Sequence, residues 1–129
     1  MFAWNDSYSV KVPIFDDQHK RLFSLVNDLN EAMKVGRARG KMGEILEDLL
    51  MYSKTHFREE EAAMISCGYG EFRQHKEEHD RFTKKVEELV KAHASGAAAI
   101  SVELLDFLIA WLTNHIQATD KRYSSCLAL

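Results

Sequence analysis

The chain has 129 residues, 46% of them hydrophobic and 29% charged, enough for one domain with its own core and too few for two. Its net charge of −3 and pI of about 6.1 exclude the basic footprint of a nucleic-acid binder. The longest apolar run, "LLDFLIAWL", is broken by Asp106 and is far short of the roughly 20 residues that span a bilayer, so no membrane insertion is expected.

In chain order, residues 1–15 read as an irregular arm carrying Phe2, Trp4, Tyr8 and the single proline, Pro13. The arm has neither the basic start nor the apolar stretch of a signal peptide, so a cytoplasmic location is expected. A first helix is predicted over about 16–34, opened by Asp16 and Asp17 and striped by Leu22, Phe23, Val26, Leu29 and Met33. "GRARG" at 36–40 ends it. A second helix spans about 42–66 through Leu46, Leu49, Ser53, His56, Phe57, Glu60 and Met64, and "CGYG" breaks it. The third, about 71–94, carries Phe72, His75, His79, Phe82, Val86, Leu89 and Val90 on one side. After the loop 95–101, with Ser101 as a cap, the fourth runs over about 101–121 through Leu104, Leu108, Trp111, His115 and Thr119. Four such helices with short connections predict an all-α, up-down-up-down four-helix bundle, read as one domain over 1–129. Cys67 and Cys126 form no CxxC pair, and two free thiols are expected.

Polar residues interrupt the apolar stripes. His75 and His79 are four apart, about 40° of rotation on a helix, and they lie between Phe72 and Phe82 rather than on the face of Arg73, Lys76, Glu77, Asp80 and Lys84. His56 and Glu60 repeat the spacing on the second helix. His19 precedes Leu22 and Phe23 by one turn, and His115 follows Trp111 and Leu112. A lone inward histidine is ordinarily a hydrogen-bonded core residue. Five, with Glu60, in so small a core are costly unless something satisfies them together, and a metal site is the economical explanation. Asp120 lies five residues after His115, offset by about 140° on an α-helix, and would reach inward from the flank. Alone it would read as a solvated helix-end aspartate.

Five imidazoles and two carboxylates exceed what one tetrahedral zinc takes. The H-E-x-x-H motif is absent, since Lys76 follows His75. Seven nitrogen and oxygen donors without a thiolate suit two iron ions bridged by carboxylates and a solvent oxygen, and not an iron–sulfur cluster.

"DDQHKRLF", "HFREE", "HKEEH" and "HIQATD", in this order, resemble the ligand segments of hemerythrin, in particular its stand-alone bacterial form, over nearly the whole chain. The resemblance implies that His75, His79 and His115 hold one iron and His19 and His56 the other, which keeps a vacant position. Glu60 and Asp120 would bridge them, with an oxo or hydroxo group between. It implies reversible O2 binding at the two-histidine iron, as hydroperoxide. On a count of ions and ligands the site then carries +1 before and after, so a dry pocket exacts little penalty. The O2 pocket of the family would here be lined by Leu22, Phe57, Trp111, Leu112 and Ile116.

Three functions fit these residues. The first is an O2-binding protein for storage, delivery or scavenging. The second is an oxidoreductase turning over peroxide or nitric oxide, which the imidazole-rich set and the lack of a further inner acid disfavour. The third is an O2 or redox sensor acting on an unidentified protein partner, signalling or oxygen-consuming. Outside the site, His93 is read as a helix-end residue, Glu59 and Glu61 as solvent-facing, and Met33, Met42, Met51 and Met64 as core filling.

Overall fold

The computed structural model describes residues 4–34, 39–94 and 102–127. Phe2, most of "GRARG", the loop 95–101 with the Ser101 cap, and the side chains of Met33 and Leu104 lie outside the described residues. The fold is an all-α four-helix bundle: α1 (Pro13–Lys34), α2 (Arg39–Cys67), α3 (Phe72–Ala94) and α4 (Val102–Asn114). A 3-10 turn in the arm (Asp6–Tyr8), a π turn (His115–Thr119), a second 3-10 turn (Asp120–Tyr123) and a short α5 (Ser124–Leu127) complete it. None of the helices is long and apolar enough to cross a membrane, among the described residues.

α1 starts at Pro13, earlier than the aspartates suggested. Proline is at home in the first helical position, where its missing N–H costs nothing and its φ is already helical. The Val12 carbonyl accepts from the N–H groups of Phe15 (3.0 Å) and Asp16 (2.9 Å). Asp16 in turn accepts from the Val10 N–H (2.8 Å) and the Ser9 hydroxyl (2.7 Å), which ties the arm to the helix start. Further back, Trp4 packs on Tyr8 and Phe23 at 5.6 and 5.7 Å. α2 stops at Cys67 because Gly68 takes a positive φ of 73°. Tyr69 N–H then bonds to the Met64 carbonyl (3.0 Å) and Gly68 N–H to that of Ile65 (3.1 Å), the paired bonds that close a helix C-terminus around glycine.

α1 packs on α2 and α4, and α2 also on α3. α3 meets α4 through Phe82 and Trp111, whose rings are 4.5 Å apart. Two apolar clusters fill the interior. The larger includes Leu22, Val26, Leu29, Leu46, Leu49, Phe57, Phe82, Val86, Leu108, Leu112 and Ile116. The smaller joins Val10, Phe15, Met64 and Tyr123. α1, α2 and α3 each contribute to both clusters, and buried imidazoles touch the two: His56 lies against Phe15 and Phe57, His79 against Phe57 and His75 against Tyr123.

Two expectations are corrected. The cysteines are not free: Cys67, at the end of α2, forms a disulfide with Cys126 of α5, 59 residues away. The turns after α4 fold the C-terminal segment back onto α2, a proximity that no local spacing encodes, and a cystine suits an oxidising environment better than a reducing one. Met51 is 64% exposed rather than core filling, whereas Met64 is fully buried and Met42 half-buried against the core.

Candidate metal centre

His19 comes from α1, His56 and Glu60 from α2, His75 and His79 from α3. His115 opens the π turn, and Asp120 follows it. All seven are at most 3% exposed. The π turn brings the last two together. In an α-helix they would point apart, but here the Asp120 N–H bonds to the His115 carbonyl, five residues back. Asp120 Oδ1 thereby lies 2.9 Å from His115 Nε2. The fourth helix is thus not one α-helix to residue 121, as the sequence suggested.

Each carboxylate faces two groups of imidazoles. Glu60 Oε2 lies 2.9 Å from His19 Nε2 and 3.2 Å from His56 Nε2, while its Oε1 lies 3.2 Å from His79 Nε2. Asp120 Oδ2 lies 3.1 Å from His19 Nε2, and its Oδ1 2.7 Å from His75 Nε2. Despite these distances, Glu60 Oε1, both Asp120 oxygens and His75 Nε2 make no hydrogen bond of acceptable direction. Buried polar atoms so close together and yet without hydrogen-bond partners are what a metal-binding site presents. Donor atoms from Glu60, His75, His79, His115 and Asp120 all lie within 4.8 Å of one another, and His19, His56 and Glu60 make a second such group. With only imidazole and carboxylate donors, the set fits a non-haem iron site.

The electrostatics agree. Burial alone would lower the pKa of His19, but the carboxylates of Asp120 and Glu60 beside it overcome that and push it up to about 10. Burial likewise opposes protonation of His115, yet Asp120, Glu78 and Glu60 raise it to about 9. For Glu60 burial favours the neutral acid, and His56, His19 and His79 hold it well below the usual carboxylate range. Asp120 is held low by His115 and His19 against both burial and Glu60. Two ionised carboxylates in a dry interior demand positive charge, which protons or a metal cation supply.

An outer layer orients the imidazoles. His79 Nδ1 is 2.8 Å from Glu61 Oε2, and His115 Nδ1 is 2.8 Å from Glu78 Oε1. The Thr119 hydroxyl also donates to Glu78, at 2.9 Å. His56 Nδ1 bonds to Gln18 Oε1, and the Gln18 amide donates to Glu59. Fixing Nδ1 in this way leaves Nε2 aimed at the centre. Rings pack beside it: Phe57 stacks on His79 at 4.0 Å, Trp111 on His115 at 4.3 Å and Tyr123 on His75 at 5.6 Å. Tyr123 Oη donates to Glu60 Oε2 at 2.6 Å.

Glu61 is therefore not a solvent-facing residue: its carboxylate is 19% exposed and holds a buried histidine. Sequence reasoning also missed Gln18, Glu78 and Tyr123. The only available signal was the density of acids beside inward histidines in "HFREE" and "HKEEH". Leu22, Phe57, Leu112 and Ile116 are buried and Trp111 is half-buried. His93 stays apart, its ring near Gly43 of α2, where an added Cβ would stand 3.2 Å from Cδ2.

The family model of the hemerythrin HHE cation binding domain matches residues 10–127. The bacteriohemerythrin of Methylococcus capsulatus is 36% identical over 129 residues, covering 99% of this chain and 98% of its own. That of Clostridium acetobutylicum is 34% identical, over 95% of this chain and 98% of its own. A crystal structure of wild-type hemerythrin superimposes with a TM-score of 0.94 at 35% identity, over 100% of this chain and 99% of that one. Matched in sequence and in fold along almost its entire length, the chain belongs to the hemerythrin family.

Proposed function

We propose that the chain binds O2 reversibly at a non-haem di-iron centre, for storage, delivery or scavenging of oxygen. His75, His79 and His115 would hold one iron and His19 and His56 the other, with Glu60 and Asp120 shared between the two sets beside an oxo or hydroxo ligand. One observation carries the assignment: both carboxylates turn one oxygen to the α1–α2 imidazoles and the other toward those of α3 and the π turn. When bound, the two irons supply the two electrons that O2 takes up and gives back.

The protein's part is to hold and to exclude. Glu61, Glu78 and Gln18 keep three imidazoles aimed inward. The unequal division, three histidines against two, would put the position that O2 takes on the α1–α2 side. Leu22, Phe57, Trp111, Leu112 and Ile116 form the apolar wall that keeps water and protons from the bound gas. Neutral imidazoles outnumber carboxylates among the donors, which favours binding over O–O cleavage. The bacteriohemerythrin relatives support the same reading.

The test is spectroscopic. The chain, loaded with ferrous iron and reduced without oxygen, should develop a charge-transfer band on aeration and lose it under vacuum or argon. Immediate and irreversible conversion to the ferric form would overturn the reading.

A further inference from the structure

The hydroxyl of Tyr123 touches one oxygen of one bridging candidate. Both residues are fully buried, and Tyr123 Oη lies 2.6 Å from Glu60 Oε2. That oxygen faces His19 and His56; the other, Oε1, faces His79. Neither oxygen of Asp120 has a hydrogen-bond donor of acceptable direction. The contact thus distinguishes the two ends of the centre, placing a donor on the α1–α2 side.

A buried tyrosine needs some acceptor for its O–H, but core packing alone does not account for this one. Glu60 Oε2 already has two imidazole nitrogens within 3.2 Å. The ring's stacking on His75 and its edge contact with Phe15 would be kept by phenylalanine. A phenol is a donor at neutral pH and a carboxylate an acceptor, so the proton of this contact sits on Tyr123.

We propose that Tyr123 is a positioning residue of the centre, whose hydroxyl fixes Glu60 and draws electron density from the carboxylate oxygen facing the His19–His56 pair. The inference rests on the di-iron reading above. A carboxylate oxygen that accepts a hydrogen bond is a weaker donor to a metal, so the iron beside it resists oxidation to the ferric state. Tyr123 would then slow the loss of ferrous centres that ends reversible binding.

Tyr123→Phe removes the hydroxyl and keeps the ring. With iron loaded, the variant should retain the native iron content, show a lower midpoint potential by redox titration and oxidise in air faster by about tenfold, the size expected of one charge-assisted hydrogen bond. Native potential and oxidation rate in an iron-replete variant would overturn the inference. Should the variant lose iron or fail to fold, the native chain carrying biosynthetic 3-fluorotyrosine decides. Its more acidic phenol is a stronger donor, so the potential should rise; an unchanged or lower value overturns the inference. A native chain that takes up no iron pair would instead overturn the di-iron reading, and this inference with it.

Discussion

The Asp120 N–H reaches back five residues to the carbonyl of His115, and this one wide turn decides that the aspartate faces inward. An α-helix would leave the two side chains about 140° apart. The wider turn brings Oδ1 within 2.9 Å of His115 Nε2. A π turn is an inserted residue in helical terms, so removing one residue should restore the α register. Ala118 is exposed within the turn and can be deleted with little loss of packing. Its deletion would leave the aspartate four residues after His115, about 40° away on an α-helix, so far-UV helicity and iron per chain should both stay near native. A clear fall in iron per chain would show that the π turn supplies more than the phase of Asp120.

The same pair shows how much of the site was legible in the sequence. His56, Glu60, His75 and His79 stood out because they break apolar stripes at a spacing of four, and helices keep that spacing in three dimensions. Asp120 was out of phase, and only its place in "HIQATD" drew attention to it, because a local change of helical pitch leaves no periodicity to read. Tyr123 and Cys126 lay beyond the predicted helix end. Their partners, Glu60 and Cys67, are 63 and 59 residues away, so only the folded chain joins them. Pro13 was legible but misread: it was placed in the arm, although it suits the first position of a helix.

Glu61 and Glu78 accept from the outer nitrogens of His79 and His115, each at 2.8 Å. Such partners fix the tautomer and ring orientation, and their loss costs about 10- to 100-fold in metal affinity. Glu78→Gln and Glu61→Gln should each weaken iron retention in a chelator competition by a factor in that range. Glu59, exposed and bonded only through Gln18 toward the site, should give a much smaller effect on substitution. Equal losses at all three positions would point to general surface charge instead of oriented imidazoles.

Reduction of the Cys67–Cys126 bridge should lower stability. The bridge closes a loop spanning 59 residues and pins α5 to the end of α2. Disulfides closing loops of this length are commonly worth about 2–4 kcal/mol, through restriction of the unfolded chain. The Cys67→Ala, Cys126→Ala double variant should therefore unfold at a lower denaturant concentration, with the native fold retained. Midpoints identical within error, with and without a dithiol reductant, would mean that the bridge adds nothing.

Finally, the metal-free chain should be most stable in mildly acidic solution. Folding raises His19 to about 10 and His115 to about 9, from 6.5 in the unfolded chain. The folded state therefore holds protons that the unfolded state sheds, and the stability gained is complete below pH 6.5 and lost as pH climbs through 9 to 10. Glu60 and Asp120 act in the opposite sense. Their folded values are depressed, so their contribution is present above the unfolded values of 4.5 and 3.8 and is lost at lower pH. The two ranges overlap between pH 4.5 and 6.5. Calorimetry of the metal-free protein should find its highest melting temperature there, with a fall toward pH 9. Iron replaces these protons, so loading at pH 7 should release acid measurable with an indicator dye and should flatten the alkaline fall. A metal-free melting temperature that rises between pH 6.5 and 9 would show that the two imidazoles are neutral in the folded chain, and that the buried carboxylates find their compensating charge elsewhere.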